Sequence, residues 1–377
     1  MHSGRVSSIP GVTDGPGLQR ALPRAAYVDD AVWSEEQERL FARQWFAVAR
    51  EEDVAGPGDS LAVDVAGESV LVVRDGDELG AFYNLCRHRG STLVDPEPDG
   101  APCPGHFAGG IRCPYHAWTY GLDGGLRRTP FVDGVDLDAF GLHPVGLDIW
   151  GGWIFVHLTP AEAAPLAEQL GPIPDRVRRY PLADLRRGAV EVYDVAANWK
   201  VIAENFNECY HCGPVHPELC DLVPAFRGGR DLDWDDGVPH REGAWTFTES
   251  GTSDRAAFPG LTDEERLRHK GELVYPNVLL SLSADHAAAL LLTPLGPVRT
   301  RVTGEFLFTA DELARPDFDP GDVVTFWDRI NRQDWLACER VQRGMASRAY
   351  AHGWFAPMED DSADIRRWYS PLMGETL

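Results

Sequence analysis

Two short motifs constrain this chain more than any other feature: Cys86-Arg87-His88, which ends the strand-like run AFYNL, and Cys113-Pro114-Tyr115-His116, with residues 89–112 between them. Two cysteines and two histidines suit a tetrahedral zinc ion. They equally suit a 2Fe-2S cluster in which two histidines replace two cysteines on one iron. A zinc finger favours CxxC knuckles and histidines on a helix. CxH paired with CxxH instead puts one Cys and one His on each of two loops, as a cluster with one iron on sulfur and the other on imidazole requires. The spacing therefore favours the cluster. A competing CxxH, Cys103-Pro104-Gly105-His106, lies in the Gly- and Pro-rich stretch DPEPDGAPCPGHFAGG. CPYHAWTYGLDG, by contrast, runs into a tight turn able to enclose a cluster loop, and Cys103 is read as a bystander.

Around these motifs the pattern is β. The runs LAVDV, SVLVVR, LGAFYNL and GGWIFVHL, separated by Gly, Asp and Pro turns, predict a small β domain. Residues 1 to 25 are rich in Gly, Ser and Pro without apolar period and are read as a flexible arm, with order expected from Ser34. Ser34 and Gln37 form a capping-box pattern ahead of a predicted amphipathic helix through Leu40, Phe41, Trp45 and Val48. Composition shifts near AEAAPLAEQLGPI, and helical patterns then alternate with EVYDVA, LVYPNVLLSLS and RVTGEFLFTA, which predicts an α+β second domain. The expected division is an arm over 1–33, a β domain with a leading helix over 34–160, and a second domain over 161–377.

Two helices in the second half carry the next candidates. Trp199 to Cys212 reads as one helix with Glu204, Glu208 and His211 on one face, stopped by Gly213 and Pro214, so that His216 folds back toward His211. From Val323 to Met345, apolar Val323, Phe326, Trp327, Ile330, Ala337, Cys338, Val341 and Met345 keep a helical period that also lands on Asp334. A carboxylate on an apolar face is costly unless it is paired or bound to a metal; an ion pair with an arginine is the bland alternative. His211, His216 and Asp334 together make a candidate two-histidine, one-carboxylate facial triad, which leaves coordination positions open.

CRHRGS with CPYHAWTYGLDG resembles the Rieske domain of the Rieske non-heme iron oxygenases, their catalytic α subunits. NWKVIAENFNECYHCGPVHPELC and NRQDWLACERVQRGM resemble the iron-binding regions of the same family, so the likeness covers residues 35–345. The loop between the two cluster motifs is longer than is usual for the family. The resemblance implies an N-terminal all-β Rieske 2Fe-2S domain held by Cys86, His88, Cys113 and His116, followed by an α+β, helix-grip-like catalytic domain. It implies mononuclear Fe(II) on His211, His216 and Asp334, with Glu208 connecting the cluster of one subunit to the iron of its neighbour in a homotrimer. Asn205 matches a position near the iron. The remaining cysteines, Cys209 and Cys212 among them, are read as packing. With no nucleotide-binding fingerprint in the chain, electrons must come from a separate NAD(P)H-dependent flavin/iron-sulfur reductase.

Glutamate at the bridging position resembles the branch acting on quaternary ammonium compounds. A permanent cation without N–H donors is held mainly by cation–π attraction, which makes Trp234, Trp245, Phe247, Tyr275 and Trp354 cage candidates. Methyl hydroxylation with loss of formaldehyde is the expected reaction. Aromatic ring or methyl hydroxylation or O-demethylation is the alternative, and a Rieske electron carrier without oxygenase activity is the alternative of another class. The charge balance, 35 Lys+Arg against 59 Asp+Glu for a net −24, argues against nucleic-acid or anionic-membrane binding. With no long apolar run and no apolar leader, a cytoplasmic location is expected.

Overall fold

The computed structural model describes residues 17–374 except 96, 98–100, 230 and 231. SVLVVR becomes the strand Glu68–Asp75 inside a four-stranded antiparallel sheet, ordered Glu78–Tyr83, Glu68–Asp75, Asp59–Val65, Cys103–His106. Strand side chains alternate between faces, and both faces here are covered: Val70, Leu71, Val72 and Val73 are all inaccessible. Val70 and Val72 join a core with Val63, Val65, Ile154 and Val156. Leu71 and Val73 join Phe82, Cys86, Cys113 and Trp118. One strand therefore ties the cysteine loops to the body of the protein. The turn after CPYHAWTY closes at Gly124, left-handed at φ +78°, where a Cβ would lie 2.4 Å from the Phe82 ring. Cys103 opens the edge strand of this sheet rather than lying in an irregular loop.

The second half is built on a six-stranded antiparallel sheet in the order Arg186–Val195, Arg299–Phe308, Ala287–Gly296, Val278–Leu282, Arg268–Val274, Val238–Pro239. LVYPNVLLSLS is two strands joined by a turn at Asn277, whose amide accepts from the Ala47 N–H at 3.0 Å and donates to the Ala47 carbonyl at 2.8 Å. The helix Gly321–Met345 packs Val323, Phe326, Trp327 and Ile330 into one core, and Trp335, Cys338 and Met345 into another. Val341, assigned to its apolar face, is instead 47% exposed. Among the described residues no helix is long and apolar enough to cross a membrane.

Order begins well before Ser34. Gln19–Pro23 pairs antiparallel with His352–Phe355, and Tyr27 is inaccessible; the part of the expected arm before residue 17 lies outside the described residues. Asp29, not Ser34, caps the leading helix, its carboxylate accepting the Ala31 N–H at 2.8 Å. Ser34 sits inside the helix Asp30–Glu36 and donates to the Asp30 carbonyl. The helix continues as a wider turn over Gln37–Phe41, and Val48 belongs to the strand Phe46–Arg50.

This leading segment packs on the second half. Glu36 and Lys200, 1% and 0% exposed, form an ion pair at 2.5 Å. Tyr369 and the Trp199 indole also donate to the Glu36 carboxylate, and the Lys200 ammonium lies 4.9 Å and 5.0 Å from the Trp199 and Tyr369 rings. Removing one member of a buried pair leaves the other charge uncompensated. Lys200→Met should therefore lower the stability of the protein by about 3–5 kcal/mol in chemical denaturation; an unchanged midpoint would show that the pair supports nothing.

Candidate metal centres

The two cysteine loops share one design. The Cys86 N–H donates to the Ser91 carbonyl at 2.8 Å and the Gly90 N–H to the Cys86 carbonyl at 3.0 Å. In the second loop the Cys113 N–H donates to the Trp118 carbonyl at 2.8 Å and the Ala117 N–H to the Cys113 carbonyl at 3.2 Å. The penultimate residue of each turn is left-handed, Gly90 at φ +73° and Ala117 at φ +56°. The two turns bring Cys86 and Cys113 together inside, 2% and 3% exposed, and leave His88 and His116 exposed with ring centroids 4.8 Å apart. His88 stacks on Trp118 at 4.8 Å, with 7° between the planes. The Tyr120 hydroxyl accepts the Arg87 N–H at 3.0 Å and is hydrogen-bonded to the Cys86 sulfur at 3.2 Å. Burial pushes the Cys113 thiol up, but the Tyr115 N–H, the Cys86 sulfur and the His116 N–H hold it below its ordinary value. Sulfur within, imidazole without and hydrogen-bond donors around the sulfurs fit a cluster with one thiolate-held and one imidazole-held iron.

The second site departs from the single helix read in the sequence. The helix Trp199–Phe206, capped by the Asn198 side chain on the Lys200 N–H, stops at Phe206. Glu204 and Glu208 therefore do not share a face: Glu204 accepts from the Tyr27 hydroxyl at 2.6 Å, and burial raises its pKa to about 8. Glu208 folds into the following turn, where it accepts from the Tyr210 and His211 N–H groups. Cys209 and Cys212, read as packing, are joined as a disulfide across this turn. Gly213 and Pro214 do not break a helix but lie within the short helix Cys212–Val215, which delivers His216.

The turn and the long helix converge. His211, His216 and Asp334 each offer a donor atom, all within 4.8 Å of one another. His211 Nδ1 donates to Glu208 Oε1 at 2.5 Å, and His216 Nδ1 donates to Gln333 Oε1 at 2.7 Å. Each ring thus keeps Nδ1 on its outer partner and turns Nε2 inward, 3.3 Å and 2.8 Å from Asp334 Oδ1. Asp334 meets two histidines and not the arginine that the bland reading supplied. The Asn205 amide lies 3.2 Å from His211 Nε2. Gln333 was missed because periodicity singles out Asp334 and says nothing about its exposed-side neighbour. Two imidazole nitrogens and one carboxylate oxygen on one side of a point suit a metal with open positions.

A cavity of about 310 Å³ opens on this group. Of the five cage candidates, Trp234, Phe247 and Tyr275 line it; Phe226 and Trp327, not singled out from the sequence, line it too. Trp245 packs instead against a separate core, and Trp354 lies in the strand His352–Phe355 beneath the Arg20 guanidinium. Aromatic identity alone could not separate these residues, because most tryptophans in the chain serve the cores.

Comparison with known proteins adds two family matches: residues 44–140 match the Rieske [2Fe-2S] domain, and residues 182–375 the ring hydroxylating alpha subunit (catalytic domain). The chain is 30% identical to the carnitine monooxygenase oxygenase subunit of Acinetobacter baumannii, over 89% of this chain and 88% of that one. It is also 30% identical to the glycine betaine monooxygenase oxygenase subunit of Chromohalobacter salexigens, over 94% and 86%. The structure is similar to that of the quaternary ammonium Rieske monooxygenase CntA in complex with L-carnitine, with a TM-score of 0.73, 26% identity, and coverage of 95% of this chain and 97% of that one. These matches imply a Rieske cluster and a mononuclear iron.

Burial alone would lower the His211 pKa, but its hydrogen bonds to Asp334 and Glu208 raise it to about 10. Without a metal the ring therefore carries a proton on both nitrogens at neutral pH, and an ion held by Nε2 must displace one of them. Iron binding to the metal-free site should release about one proton near neutral pH, and affinity should rise with pH until the ring loses that proton unaided. Titration calorimetry in buffers of differing ionisation heat measures this directly, and an uptake of protons would contradict it.

Proposed function

This chain belongs to the Rieske-type ring-hydroxylating oxygenases, and from that premise we propose that it oxidises a small methylated ammonium compound, hydroxylating an N-methyl group that then leaves as formaldehyde. The observation that carries this reading is the cavity beside His211, His216 and Asp334, whose aromatic walls include Trp234, Phe247, Tyr275 and Trp327. Aromatic faces attract a permanent cation that offers no N–H donor. A volume of about 310 Å³ sits at the small end of ligand pockets. The carnitine and glycine betaine monooxygenase subunits named among its relatives support the same class. An electron carrier whose second half merely binds a partner is set aside by membership in an oxygenase family.

In this reading Cys86, His88, Cys113 and His116 hold the cluster, and His211, His216 and Asp334 hold the iron. When bound, the cluster supplies single electrons and the iron activates dioxygen; two electrons and two protons accompany one oxygen atom into the methyl C–H bond and the other into water. Glu208 and Gln333 orient the two iron-site imidazoles through their Nδ1 protons. Asn205 sits beside the His211 Nε2 face. The aromatic walls exclude water and present the methyl group.

Glu208 also reaches the opposite side of its turn. It lines a surface hollow with Tyr210, Pro214, Arg227 and Glu359, and His116 is exposed. We read this hollow as the place where a neighbouring subunit in a homotrimer brings its His116 to Glu208, with a separate NAD(P)H-dependent reductase as the source of electrons.

Mass spectrometry of products should show loss of one methyl group from an ammonium compound when iron-replete protein is supplied with a surrogate Rieske reductase and a panel of betaines, choline, carnitine and aromatic acids. Oxidation of the aromatic acids alone would overturn the amine reading. Glu208→Gln should cut turnover by about ten- to a hundredfold while leaving the cluster spectrum intact, since the amide keeps an acceptor for His211 Nδ1 but removes the charge between the two centres.

A further inference from the structure

A second, smaller cavity of about 40 Å³ adjoins the candidate metal site, between the six-stranded sheet and two helices. None of its lining residues is exposed. The sheet explains why space is left there. Ser281 and Ala288 are partners across the strands Val278–Leu282 and Ala287–Gly296, and two residues along the same face Leu279 is paired with Leu290. The leucine pair fills its position, whereas the small pair beside it leaves a gap. Trp327 and Trp335 on the helix Gly321–Met345 and Ile202 on the helix Trp199–Phe206 also line this chamber, and its wall is predominantly apolar.

The chamber touches the candidate metal site through Asn205 and Asp334, which line both cavities. The Asn205 amide lies 3.2 Å from His211 Nε2, and Asp334 Oδ1 lies 2.8 Å from His216 Nε2. About 10–15 Å³ is enough for one water, so the chamber has room for a diatomic molecule and none for a methylated ammonium compound or an aromatic acid. Water is held in a buried space only by several polar partners, whereas a mostly apolar wall suits an apolar gas. An oxygenase has to bring such a gas to the same point as its organic substrate, and a substrate seated in the larger cavity stands in the way.

We propose that this chamber is a holding site for dioxygen, set beside the point that His211, His216 and Asp334 frame and separate from the cavity that takes the organic substrate. The inference rests on the chain being an oxygenase and not on the amine reading. Ser281 and Ala288 keep the space open by their small size, and the tryptophans give it an apolar wall.

Xenon, an apolar gas that enters dry cavities, is the first probe. Crystals of the unmodified enzyme held under xenon should show a xenon atom in the chamber. Ala288→Val adds two methyl groups at the wall, suits the strand and leaves the larger cavity alone, which Ala288 does not line. The variant should lose the xenon atom and raise the KM for dioxygen at least about threefold, while kcat at saturating dioxygen and the KM for the organic compound stay within about twofold. The kinetics use whichever betaine, choline, carnitine or aromatic acid the enzyme turns over, so failure of the amine reading does not disturb them. Ordered water in the chamber of untreated crystals, or no xenon there under pressure, overturns the inference. So does an unchanged KM for dioxygen, or an equal rise in the KM for the organic compound, in the variant that has lost xenon. The xenon result in the unmodified enzyme decides the matter even if the variant does not fold.

Discussion

A buried ion pair between Glu36 and Lys200 anchors the helix that leads into the candidate metal site. It is the point where three distant parts of the chain meet: the leading helix, the helix Trp199–Phe206 and the C-terminal helix Asp360–Met373. Both charges are removed from water, and each is satisfied only because Trp199, Tyr369 and Tyr27 surround the pair with indole and phenol groups. Such an arrangement contributes little net energy against an apolar alternative, yet it tolerates little displacement. The same helix ends at Phe206 and leads straight into Glu208 and His211.

Both centres share a second principle, that side chains beyond the donors decide how the donors point. At the candidate metal site Glu208 and Gln333 each hold one Nδ1 and leave both Nε2 atoms turned inward. At the cysteine loops Tyr120 plays the corresponding part, accepting from the Arg87 backbone and sharing a hydrogen bond with Cys86. The backbone does the rest: two turns with matching hydrogen bonds carry Cys86 and Cys113 inward, and the strand Glu68–Asp75 packs against them from behind.

Much of this was legible in the sequence, for a physical reason in each case. CxH and CxxH can be read because metal ligation demands particular atoms at particular spacings. Asp334 can be read because a carboxylate interrupts an apolar period. The strands can be read because SVLVVR and RVTGEFLFTA have no other stable place than a covered sheet. The reading failed where local pattern competed with partners far along the chain. Ser34 and Gln37 mimic a capping box, but Asp29 captures the cap first. Glu204, Glu208 and His211 fall on one face only if the helix continues, and it stops at Phe206. The arm looked featureless because the partner of Gln19–Pro23 lies at His352–Phe355.

The sequence by itself determined the α+β architecture and the family and singled out the candidate donor atoms, all of which rest on residue types and short spacings. Only the tertiary structure decided which aromatic residues wall the cavity, why Trp245 and Trp354 do not, and that Glu208 and Gln333 stand behind the two histidines of the candidate metal site. Most of those properties arise between residues tens to hundreds of positions apart, where no local period or spacing leaves a trace and packing alone sets who meets whom.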